Sequence, residues 1–170
     1  VCALRMLDMA GVDFENTEVC AMITDGEEAG LRGCKSWAKN HYDEYVNSGV
    51  ETVVLCVDTL TDREYLRVYN KDMTGTVKNN QQFSQLVMDA SKDAGHDDIE
   101  LSSVFFGSSD AAAFSQAGIT ATCLAAMDPR PADYYHNRRD TADRLVPETI
   151  KTGFDVIIST ILNFDEKGLN

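Results

Sequence analysis

Three short runs without charged side chains, 19–23, 52–57 and 120–126, divide this chain, and stretches with helical spacing of apolar residues lie between them. A strand apolar along its whole length has to be covered on both faces, and helices are the layers that cover it. Val19-Cys20-Ala21-Met22-Ile23 reads as a strand running into a turn. Thr52 to Val57 reads as a strand buried on both faces that stops at Asp58, and Thr120 to Ala126 as a further buried strand. Tyr65 to Tyr69 alternates and suits an exposed strand or sheet edge, and Ile99 to Val104 a shorter strand. Helices are expected where Val1, Leu4, Leu7 and Ala10 or Gly11 trace one face, over Cys34 to Tyr45, from Phe83 to Ala94 with Gly95 as the stop, and over Ala111 to Ala117 behind Ser109. The last begins at Pro147 and buries Ile150, Phe154, Ile157 and Ile161. Strand and helix alternate, so the expected fold is α/β: a three-layer αβα sandwich around a mixed, mainly parallel sheet.

At 170 residues the chain is read as one domain, 1–170. A net charge of -13 disfavours nucleic acid and anionic membrane surfaces as partners, because both are polyanions. No apolar run approaches the roughly 18 residues that span a bilayer. Cys2, Cys20, Cys34, Cys56 and Cys123 are odd in number and show no Cys-x-x-Cys spacing. They are read as reduced, buried small hydrophobes, which favours the cytoplasm over an oxidising compartment. The first residue is Val1, so the chain reads as an excerpt whose N-terminal portion is missing. Nothing in the sequence speaks to oligomeric state.

The chemistry concentrates in Thr24-Asp25-Gly26-Glu27-Glu28-Ala29-Gly30-Leu31-Arg32-Gly33. Adjacent glutamates diverge on a regular helix or strand and can share one small site only where the backbone bends sharply. Gly26 and Gly30 permit that bend. One carboxylate can then hold a metal while the other moves a proton. In open α/β sheets functional residues gather beyond the carboxyl ends of strands. Glu27 and Glu28 follow the first run, Asp58 ends the second, and His136 lies in the loop after the third. Glutamate, aspartate and histidine are ligand types of a catalytic zinc that keeps an open position for water.

Asp25 to Gly33, Val57-Asp58, Ser109-Asp110-Ala111-Ala112-Ala113-Phe114 with Gly118-Ile119, and Tyr135-His136-Asn137-Arg138-Arg139-Asp140-Thr141-Ala142-Asp143 stand in that order. Together they resemble the motifs of metallopeptidase family twenty-eight, the two-zinc aminopeptidases and their carboxypeptidase relatives, over nearly the whole chain. The resemblance implies a zinc-exopeptidase-like fold of which this chain is the larger part of the catalytic domain. It implies a metallo-aminopeptidase that removes N-terminal residues from peptides. Glu27 would be the general base, Glu28 a ligand of one zinc, His136 the second protein ligand of that zinc, and Asp58 a ligand of the other. Tyr135 would help stabilise the tetrahedral intermediate, and Asp140 would orient ligands.

Two departures accompany the matches. The family's His-x-Asp motif and bridging aspartate stand upstream of the Glu-Glu turn and are absent here, so the two-zinc site is expected to be incomplete and the excerpt alone inactive. His41-Tyr42-Asp43 and His96-Asp97-Asp98 have the spacing but lie downstream, and are read as ordinary surface features. Ala111 stands where many members carry a histidine that is not a required ligand. The alternative is a non-catalytic domain that keeps the peptidase fold for binding or assembly, and a neighbouring two-metal exopeptidase family is a third possibility. Retention of Glu27, Glu28, Asp58 and His136 together argues against the non-catalytic domain, and the Tyr135-His136 loop favours family twenty-eight over its neighbour.

Overall fold

The computed structural model describes residues 1–130 and 132–169. Pro131 lies outside the described residues.

Five strands form one sheet: β1 (Val53–Asp58), β2 (Leu66–Asp72), β3 (Val77–Lys78), β4 (Leu101–Ser103) and β5 (Thr120–Ala126). The order runs β1-β5-β2-β3, and β4 pairs with β2. β1 lies parallel to β5 with Asp58 opposite Ala125, and β4 is parallel to β2, whereas β2 is antiparallel to both β5 and β3. The sheet is mixed, as expected, with parallel and antiparallel pairings equally represented among the described residues.

Helices cover both faces, so the sandwich has the three expected layers. Ala121, Cys123 and Ala125 of β5 pack with Cys34 and Ala38 of α2 (Arg32–Tyr45) and with Ala111 to Phe114 of α4 (Asp110–Gln116). Leu124 and Ala126 point the other way and meet Phe83 and Val87 of α3 (Gln81–Asp93) and Val156 of α5 (Pro147–Lys167). This alternation is the period-2 geometry of a strand with two buried faces. α1 (Cys2–Met9) lies against α5, burying Ala3 and Leu7. The helix ends follow their local chemistry. Asn80 caps α3 by accepting from the Phe83 amide, Ser109 caps α4 by accepting from the Ala111 amide, and Pro147 occupies the first turn of α5. Gly95 follows α3 at φ +84°.

Several expectations change. Residues 17–26 carry no strand among the described residues, and Ile23 is 86% exposed. An apolar run supplies side chains for a strand, but a strand exists only where a neighbour completes its ladder, and among the described residues no backbone hydrogen bond ties 17–25 to the sheet. β1 is a sheet edge among the described residues. Val54 and Cys56 pack against one core cluster and Val53 and Leu55 against the other, so both faces are covered as expected, though all four are only half-buried and Val57 and Asp58 are exposed. Tyr65 to Tyr69, read as an exposed strand or sheet edge, instead divides: Tyr65 closes a short 3-10 turn and Leu66 opens the central strand, with Leu66 and Val68 fully buried and Tyr69 on the opposite face. The cysteines also divide: Cys34 and Cys123 are buried, Cys56 is half-buried, and Cys2 and Cys20 are exposed. Both exposed thiols lie on parts with little cover, the outer side of α1 and the unpaired 17–26 segment. No helix among the described residues is long and apolar enough to cross a membrane.

Candidate active site

The carboxylate turn closes through nested backbone hydrogen bonds. Amides of Gly30 and Leu31 both donate to the Glu27 carbonyl at 2.9 and 2.8 Å, Arg32 donates to Gly26 at 3.1 Å, and Gly33 donates to Asp25 at 2.9 Å. Gly26 (φ +65°) and Gly30 (φ +98°) take the left-handed conformations the bend requires. Leu31 is also left-handed, at φ +59°, and is 4% exposed, so its buried side chain anchors the junction with α2. Gly33 carries a constraint that inspection of the sequence does not reveal. A Cβ there would lie 2.3 Å from the Asp25 carbonyl oxygen, so the turn closes only around a residue without a side chain.

The turn presents Glu27 half-buried and Glu28 exposed. Glu28 Oε1 lies 2.9 Å from His136 Nε2. His136 arrives on the loop after β5, itself left-handed at φ +55°, with its ring stacked on that of Tyr135 at 3.9 Å between centroids. Asp58 stands at the exposed end of β1, its Oδ1 accepting from the Thr59 hydroxyl at 3.0 Å. Glu27 has a raised pKa because of burial first and then the charges of Glu28, Asp58 and Asp110, with His136 opposing. Tyr135, 47% exposed, is also raised, by burial and then by Glu28, Asp58 and Glu27. Glu27, Glu28, Asp58, Tyr135 and His136 therefore share one electrostatic neighbourhood at the carboxyl ends of the strands.

Direct contact is narrower than proximity. Of the residues singled out in the sequence, Glu28 and His136 touch, while Asp58 is near without joining them. No group of three or more His, Cys, Asp or Glu side chains able to hold a metal occurs among the described residues. The pair nonetheless fits part of a zinc's coordination shell. Carboxylate oxygen and imidazole nitrogen are donors zinc takes, and in a tetrahedral site with bonds of about 2.0 Å two ligand atoms stand roughly 3.3 Å apart. Their contact at 2.9 Å would need to open only slightly.

The two downstream His-x-Asp pairs are engaged elsewhere. His41 meets Glu44 at 2.9 Å and stacks on Trp37, while His96 meets Asp155 at 3.2 Å and Asp98 meets Arg63. Asp140 is exposed, its amide donating to the Asn137 carbonyl at 3.0 Å. Two residues beside the turn escaped notice as site residues: Thr24, whose hydroxyl donates to Asp110 Oδ2 at 2.6 Å, and Asp110 itself. The Ser-Asp pair stood out in the sequence, but nothing in it tied that pair to the turn.

Comparison with solved structures finds the same fold in proteins of low identity. A glutaminyl cyclase from an Acidobacteriales bacterium aligns with TM-score 0.63 at 18% identity, covering 81% of this chain and 47% of that one. The LapA aminopeptidase of Legionella pneumophila gives 0.66 at 16%, covering 83% and 37%. BSAP, a zinc aminopeptidase from Bacillus subtilis, gives 0.61 at 20%, covering 79% and 33%. The chain thus spans less than half the length of each of these. A comparison with curated proteins finds no match. The model of peptidase family M28 matches residues 2–161. That match takes in the carboxylate turn, Asp58, the Ser109-Asp110 helix start and the Tyr135-His136 loop, and the chain belongs to peptidase family M28.

Proposed function

We propose that this chain is part of the catalytic domain of a zinc-dependent aminopeptidase, which hydrolyses peptides from a free N-terminus. The observation that carries the reading is the Glu28–His136 contact at 2.9 Å, with Glu27 half-buried on the same turn. Membership of peptidase family M28 supports peptide hydrolysis, and the likeness in fold to zinc aminopeptidases supports zinc as the metal.

Glu28 and His136 would hold one zinc, and Asp58 would serve a second. Bound zinc supplies positive charge that acidifies water and polarises a carbonyl. Glu27 takes the proton from the attacking water and delivers it to the departing amine. Its raised pKa suits that task, since a carboxylate whose pKa lies above the ordinary range is a stronger base toward the proton of the attacking water. The Tyr135 hydroxyl, protonated at neutral pH, donates a hydrogen bond to the oxygen that gains charge during attack. The ring stacked on His136 also steadies the imidazole.

Calorimetric zinc titration tests the metal assignment. Glu28→Gln and His136→Ala should each weaken zinc binding by more than about tenfold, and the double variant by less than the product of the two, because both act on one ion. Unchanged zinc affinity in both variants would remove the pair from the metal site.

A further inference from the structure

The Ser109-Asp110 pair at the start of α4 is the motif left without a task by the reading above, and its surroundings supply one. Asp72, at the end of the central strand and 0% exposed, accepts from the Met73 amide at 2.7 Å, the Ser109 amide at 3.0 Å and the Ser109 hydroxyl at 2.5 Å. Ser109, also 0% exposed, is thereby fixed and in turn caps α4 through the Ala111 amide. The next residue, Asp110, is held on that buried base. Its Oδ2 accepts from Thr24 Oγ1 at 2.6 Å, across 86 residues of sequence. The Cys34 thiol, 0% exposed, lies against the same carboxylate. Its pKa is pushed up to about 12 by burial first and then by the Asp110 carboxylate near it.

Thr24 is the residue entering the carboxylate turn and Cys34 is the one leaving it. We propose that Asp110 is a positioning residue: it ties the entrance of the 24–33 turn to the start of α4, beside the buried Cys34 at the turn's exit, so that Glu27 and Glu28 are presented in a fixed direction. The inference rests on the reading of that turn as the hydrolytic centre only for its functional meaning, since the tether is a property of the fold. The segment before the turn makes the need plain. Residues 17–25 have no ladder to hold them, and the side-chain bond from Thr24 is made where β-sheet hydrogen bonds would otherwise do the work.

Hydrogen exchange on the protein, read at the amides of Gly30 to Gly33, tests the tether. Thr24→Val keeps the shape of the side chain and removes its donor. It should speed exchange at those four amides by about tenfold, the worth of one hydrogen bond to a carboxylate, while α3 and α5 exchange as in the wild type. Thr24→Ser should restore the slow exchange. Where hydrolysis is measured, kcat should fall by about tenfold with KM changed less than about twofold. Unaltered exchange at the turn in Thr24→Val, an equal rise throughout the protein, or failure of serine to restore protection would each overturn the proposal. A complete catalytic domain containing this chain that does not hydrolyse aminoacyl amides would instead remove the peptidase reading and leave the exchange result standing.

Discussion

Glutamine in place of Glu27 is expected to lower hydrolytic turnover by a factor of about 10²–10⁴ while zinc binding persists, because the amide preserves shape and loses only the ability to take a proton. The pH dependence separates this from a folding defect. Burial, and then the neighbouring charges of Glu28, Asp58 and Asp110, hold the Glu27 carboxyl above its ordinary range. Loss of this base should remove from the Glu27→Gln kcat profile the limb that reports ionisation of that carboxyl. The effect on stability has the opposite sign. A carboxyl whose pKa is raised by folding prefers to be neutral there, so stability declines as pH rises through the folded value. Glutamine is permanently neutral, and Glu27→Gln should melt no lower than the wild type at pH 7. A variant that loses activity and also melts early would mark Glu27 as a structural residue.

Gly33→Ala should be the most damaging conservative change near the site. The added methyl would sit 2.3 Å from the Asp25 carbonyl oxygen, a contact with backbone that no rotamer change relieves. Either the Gly33–Asp25 hydrogen bond breaks or the start of α2 moves away, taking buried Leu31 and Cys34 with it. Overpacking of this kind costs about 2–3 kcal/mol, which for a chain of this size lowers Tm by roughly 5–10 °C. Gly30→Ala meets no neighbouring atom within 4 Å. It suffers only from the left-handed backbone at φ +98° and should cost less. Thermal melts of the two variants check the order. Equal losses would mean that conformation, rather than the close approach at Asp25, governs the turn.

The layers of this fold are legible in the sequence because they depend on local pattern. Phe83, Val87 and Ala90 at helical spacing, the Ser109 cap and Pro147 at a helix start each act within a few residues, and each stands where its chemistry directs. Partnership between distant segments is not local. Val19 to Ile23 has the composition of a strand and no ladder, while Leu66 to Tyr69 alternates like an edge and occupies the centre of the sheet. A strand's rank in a sheet is set by what lies beside it, which its own residues do not encode. The site divides in the same way. Glu27 and Glu28 follow from a glycine-flanked turn, and the proximity of Asp58 to the His136 loop follows from parallel pairing of β1 with β5, which brings the carboxyl ends of both strands to one end of the sheet. The tie from Thr24 to Asp110 spans 86 residues and joins two ordinary polar side chains, so only the fold reveals it.

The central claim is that the carboxylate turn and His136 form a zinc-dependent hydrolytic centre acting on free N-termini. Its most direct test is hydrolysis of an aminoacyl chromogenic amide by a complete catalytic domain that contains this chain, with zinc titrated in and then removed by a chelator, beside the same amide acetylated on its α-amine. The account predicts release of the chromophore that rises with zinc, stops on chelation and is confined to the free amine. No release at any zinc concentration, or release indifferent to both zinc and acetylation, would contradict it.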